Sequence, residues 1–292
     1  MPTGVACADA RPPTPDPRSC DLSSTATAAL TLAAEEGEGF HAPTLADFFP
    51  GPIFGDGTLV EFNRIMLVRV IAAVLLVAVM AFAASRARLV PGRGQNVVEV
   101  LLDFVRVNVA EEILGRKEAA RFVPLLTAIF FAILAFNITG VIPGLNIAGT
   151  SVIGLPIVFA VIMYVVYLRA GIQRQGLGGF LRTNLFPAGV PAPMYVLLTP
   201  IEFLTVFVLR PATLAIRLVA NMIAGHLMLV LCFAATNYFI LEAAPALKAF
   251  GAVTFVAGLA ITLFEVFIAA LQAYIFVVLS AVYINLSIET EH

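Results

Sequence analysis

Charge is what this chain has least of. Only 12% of its 292 residues are Asp, Glu, Lys or Arg, about half the share of an ordinary soluble domain. Hydrophobic residues make up 60%, and mean hydropathy is +0.97. Together these exclude a soluble globular fold. Cysteine is also scarce. Cys7, Cys20 and Cys232 show no metal-ligand spacing, and Cys232, in an apolar stretch, reads as a small hydrophobe. The nucleotide-binding Gly-Lys-Ser/Thr motif is missing, and GLGG at 176–179 reads as a loop, so no soluble enzyme is expected. No cofactor, metal or nucleic-acid partner is called for. No basic start leads into a short apolar region, so the first membrane span is expected to act as its own insertion signal.

What is present is a series of apolar runs long enough to match the ~20 residues that cross ~30 Å of hydrocarbon. The expected fold is all-α and integral to the membrane. Residues 1–60, rich in Pro, Ala, Thr, Gly and acid, read as a mostly disordered tail outside the cytoplasm, and 61–292 as the membrane domain. Five spans are expected at about 65–85, 122–142, 153–171, 195–235 and 246–288, with a turn at Pro143–Gly144 between the second and third. The last two are about 60 Å long if helical. They must tilt steeply or bend, with Pro200 and Pro211 as places to bend, and they should form an antiparallel hairpin. Between the first two spans, 96–114 carries Glu99, Asp103 and Arg106 on one stripe, which predicts a separate amphipathic helix at the interface or against a partner.

The basic residues give an orientation. Arg86, Arg88, Arg93, Arg116, Lys117 and Arg121 fall in one loop region, and Arg169, Arg174 and Arg182 in another. The regions near 143–152 and 236–248 are almost uncharged. Positive charge stays inside, so both basic regions are expected in the cytoplasm, the N-terminus outside and the C-terminus inside.

A few polar groups break the apolar helices. Arg69 reads as an interfacial anchor, its guanidinium reaching toward water. Glu202 and Arg210 suit the entrance of a tilted helix. Arg217 is harder to accommodate. It keeps its proton wherever it is placed, and no acid lies within one helical turn. Its partner is therefore water or a carboxylate on another subunit. In an antiparallel pair, residues at one depth have position numbers that add to a constant. Arg217 with Gln272 gives 489 and His226 with Glu265 gives 491, so one register levels both pairs. Arg217 and Asn221 share a face, about 180° from His226. The expectation is an outward-facing arginine and a separate internal cleft of His226 and Glu265, able to relay protons.

RPATLAIRLVANMIAGH (210–226) and LQAYIFVVLSAVYINLSIETEH (271–292) resemble subunit a of the F-type ATP synthase, with weaker support from FNITGVIPG (136–144). The resemblance implies a proton-translocating stator subunit in the plasma membrane, not catalytic alone, that works with a c-subunit ring and a b-subunit stalk. By it, Arg217 faces the ring carboxylate, and Asn221, His226, Glu265, Gln272, Asn137 and Glu202 line the proton path, with Arg210 secondary. Bacterial members often carry the acid and the histidine of the cleft in exchanged positions. Some place an acid where this chain has Gly140. The principal rival is a proton-coupled transporter acting alone, which would be built on internal repeats that this chain lacks.

Overall fold

The structure, a computed structural model, describes residues 63–86, 92–142, 148–186, 191–242 and 245–288. The N-terminal tail with Cys7 and Cys20, the Pro143–Gly144 turn and residues 289–292 lie outside these. The described residues are helical with short connections. Helix α1 is Arg64–Ser85 and α2 is Arg93–Val105, which passes through a π-helical stretch, Arg106–Glu111, into α3, Glu112–Ile138. Then follow α4 (Gly154–Leu185), α5 (Tyr195–Leu204), a second π-helical stretch (Thr205–Leu209), α6 (Arg210–Leu241) and α7 (Lys248–Ile288).

Five helical runs among the described residues are long and apolar enough to cross a bilayer: Arg64–Ser85, Gly94–Ile138, Gly154–Leu185, Tyr195–Leu241 and Lys248–Ile288. Their outward faces are apolar, with Val74, Val77, Val196 and Leu263 all more than 60% exposed. Surfaces of that kind are stable against hydrocarbon or another protein, not against water. Helix α7 packs on α3, α4 and α6 and forms the spine of the bundle. Its small buried residues, Ala269, Ala273 and Ala281, let neighbouring backbones approach.

The stripe 96–114 forms a helix of its own, as expected. It ends at Gly115, whose non-helical backbone (φ 73°) only glycine adopts without strain, and the second span starts directly after this kink with no loop between. Glu111 accepts from Arg106 (3.0 Å) and Arg116 (3.3 Å), bridging the turn from both sides. GLGG at 176–179 is a kink and not a longer loop: Gly176 (φ 72°) is non-helical and divides two helical pieces within Gly154–Leu185, with the next three residues already helical.

The basic ends of α3 and α4 meet. Arg121 donates to Gln173 (2.6 Å), and Arg174 lies 4.0 Å from Glu118. At the opposite ends of these helices Asn137, Thr139 and Thr150 are buried together. Arg69, half-exposed, is held by backbone carbonyls. Its guanidinium donates to the carbonyls of Gly149 (2.7 Å) and Val152 (3.1 Å), tying α1 to the entry of α4. Carbonyls freed where the chain turns need donors in hydrocarbon, and a forked guanidinium supplies two.

Candidate functional site

The site is the hairpin of α6 and α7. Its register is fixed by contacts along its length. Thr236 donates to Thr254 (2.9 Å), and 236 and 254 add to 490. A Cβ placed on Gly258 would meet Cys232 Cβ at 3.6 Å, again adding to 490, and one on Gly251 would meet Ile240, adding to 491. One on Gly225 would stand 3.0 Å from Glu265 Oε1, adding to 490. The same register sets Arg217 level with Gln272 and Ala273, within about one residue's rise of ~1.5 Å.

The faces divide as helical geometry requires. Leu218 and Met222 carry one side of α6 into the core at 0% and 1% exposure, while Arg217, Ile216 and Ala220 are exposed on the other. Asn221 is half-buried beside them. His226 and Glu265 are buried, at 6% and 3%, and so is Gln272 at 4%. Gly225 is what makes room for the Glu265 carboxylate. The structure thus brings His226, Gly225 and Glu265 to one level of the hairpin interior and leaves Arg217 on its outer surface.

Asn137 lies on α3, fully buried, and its Oδ1 accepts from the Thr150 hydroxyl at 2.6 Å. Gly140 is buried nearby, and a Cβ there would come within 3.0 Å of Ala148 Cβ, so any side chain at 140 requires Ala148 to give way by a few tenths of an ångström. Arg210, half-buried at the start of α6, lies over the Tyr283 ring of α7 at 5.4 Å. Glu202 sits on α5, also half-buried. Several buried polar atoms find no hydrogen-bond partner among the described residues: Asn137 Nδ2, Arg210 Nη1, Glu265 Oε2 and Gln272 Nε2. Closed protein cores rarely leave such atoms unpaired.

Three contributors escaped the reading of the sequence. Gly225 has a local signal, a small residue beside His226. Thr150 has none, because its partner lies on another helix. Tyr167, which donates to the Val206 carbonyl at 2.7 Å, is signalled only by a proline five residues after its acceptor.

Five apolar crossings, with a charge on the outer face of one helix and a buried acid and imidazole inside the hairpin, define a polytopic helical membrane protein with ionisable groups within its last hairpin. The chain belongs to the ATP synthase A chain family, whose model matches residues 66–285. Among its relatives, ATP synthase subunit a of Rhodococcus erythropolis is 45% identical over 89% of this chain and 94% of that protein. Those of a Nocardioides species and of Streptomyces lividans are 37% and 35% identical, over 91% and 88% of this chain and 99% and 91% of theirs. A lone secondary transporter is thereby set aside.

Proposed function

We propose that this chain is the stator subunit of the ATP synthase membrane sector that guides protons to and from a rotating ring of c subunits, with Arg217 facing the ring carboxylate. Membership of the family makes it a membrane subunit of the synthase and not a catalyst on its own. The observation that carries the reading is the division of the α6 faces. Arg217, permanently charged, lies on the outer apolar surface of the hairpin, while His226 and Glu265 are buried within it.

Each part has a physical task. A proton enters from the outer side past Asn137, His226 and Glu265, where an imidazole and a carboxylate hand it on. It neutralises a carboxylate of the ring, which then turns into lipid at far lower cost than the charged form. A returning site loses its proton toward the inner side, past Glu202 and Arg210. Arg217, with Asn221 and Gln272 at its level, favours the ionised carboxylate and prevents protons from passing straight between the two half-channels. The unpaired polar atoms along these helices support a path that water can enter. Each charge crossing 100 mV supplies about 2.3 kcal/mol, so one ATP requires several crossings.

The same reading places the chain in the plasma membrane, N-terminus outside and C-terminus in the cytoplasm, beside a b-subunit stalk. The convergence of Arg121 and Arg174 on one side of α3 and α4 supports that orientation. Replacing Arg217 with Ala is expected to abolish ATP-driven proton pumping and ATP synthesis in membranes while the chain still accumulates. Coupled synthesis at the normal rate in that variant would overturn the reading.

A further inference from the structure

The fourth crossing is not one regular helix. Between α5 and α6 the π-helical stretch Thr205–Leu209 closes with the Arg210 N–H donating to the Thr205 carbonyl, five residues back. The next bond in that pattern would run from residue 211 to Val206. Residue 211 is proline, with no N–H to give. The Val206 carbonyl is nonetheless satisfied, because the hydroxyl of Tyr167 on α4 donates to it at 2.7 Å. Tyr167 is itself buried, with its ring edge-on to Tyr164 (5.4 Å) and Tyr283 (6.3 Å), and Tyr283 is the ring over which Arg210 lies.

A π turn inserts one residue and rotates everything beyond it by about 100° relative to a regular helix. Glu202 and Arg210, eight residues apart, would diverge by about 80° on an unbroken α-helix. With the inserted residue they fall within about 20° of each other, and Arg217, seven residues further, continues the row at a similar offset.

We propose that Tyr167 is a positioning residue of the proton path: its hydroxyl replaces the N–H that Pro211 lacks, holds the π turn, and so aligns Glu202 and Arg210 in one row with Arg217. Without the hydroxyl, the Arg210 N–H would move from Thr205 to Val206, and the turn would tighten to a regular helix. Helix α5 buries none of its residues, so it is the side free to rotate, and Glu202 would leave the row. The purpose of the row rests on the proton-path reading above. The alignment itself does not.

The test uses the whole synthase in membrane vesicles, with Cys7, Cys20 and Cys232 replaced by Ser and Glu202→Cys introduced. Rates of modification by an anionic and a cationic methanethiosulfonate are compared. If residue 202 lies in the row of Arg210, the anionic reagent is favoured, and Arg210→Gln removes that preference. Tyr167→Phe is expected to lower the anionic-to-cationic ratio at least about fivefold. Substituting 4-aminophenylalanine at 167, which restores a donor at the same ring position, should return it to within about twofold of the parent. Pro211→Ala supplies the missing N–H to the Val206 carbonyl, so adding it to Tyr167→Phe should restore the ratio in the same way, and Tyr167→Met is read if Tyr167→Phe does not accumulate. A parent without the preference, or a ratio unchanged within twofold in the variant read, overturns the proposal. Because no proton flux enters the ratio, a functional Arg217→Ala synthase would remove the proton-path reading and leave this result standing.

Discussion

The Glu265 carboxylate lies so close to the backbone of Gly225 that a methyl group at 225 would stand 3.0 Å from its Oε1. Alanine would favour the helix by up to ~1 kcal/mol, so Gly225→Ala should not unfold α6. It should displace the acid, at an overpacking cost of about 1–3 kcal/mol. The expected result is normal accumulation with proton pumping reduced at least about fivefold, measured by ATP-driven acidification of vesicles. Pumping at the parental rate would show that the acid's position is not critical.

His226 and Glu265 occupy one level of the hairpin, so what the cleft needs is one acid and one imidazole, whichever helix bears each. Glu265→Gln alone should reduce proton transport by about a hundredfold or more, the scale on which a positioned acid or base acts. The double exchange, His226→Glu with Glu265→His, should recover much of it. A double variant no better than His226→Glu alone would count against a shared relay.

The register can be checked chemically. A Cβ at position 258 would be 3.6 Å from that of Cys232, within the ~3.5–4.5 Å span that a disulfide requires. Gly258→Cys should therefore cross-link to the native Cys232 under mild oxidation, with the product read by peptide mass. Failure to form the bridge while both thiols react with a small reagent would contradict the pairing of α6 with α7.

Gly140 has Ala148 Cβ within 3.0 Å and the Ala148 nitrogen within 3.3 Å of where its own Cβ would be. Gly140→Asp should destabilise this corner by at least ~1–3 kcal/mol and reduce the amount of chain in the membrane. Ala148→Gly in the same background should restore part of it. Full accumulation of the single variant would mean that the α3–α4 connection yields more readily than its packing suggests.

Much of this architecture was legible because the bilayer imposes long apolar runs. The five crossings, the antiparallel hairpin and its register near 490 all follow from hydropathy and the spacing of polar residues. The opposition of Arg217 and His226 also followed, since nine residues turn a helix by half a revolution. The amphipathic helix 96–114 followed from its charged stripe and ends at Gly115; the pairing of Glu111 with Arg106 and Arg116 around that kink did not. The partners of Arg69 were not legible either, because the carbonyls of Gly149 and Val152 lie eighty or more positions away in sequence. Contacts between distant segments, Tyr167 with Val206 among them, leave only faint local traces.

The outward placement of Arg217 has a consequence for biogenesis. Before its neighbours arrive, the newly inserted chain presents a fixed positive charge on a surface otherwise made for lipid, at a cost of about 2.5–3.5 kcal/mol on membrane-insertion scales. A docked carboxylate, as proposed for the ring, would offset that cost. If Arg217 faces a ring carboxylate as proposed, an orphaned copy of this subunit is a poorer guest of the bilayer than an assembled one.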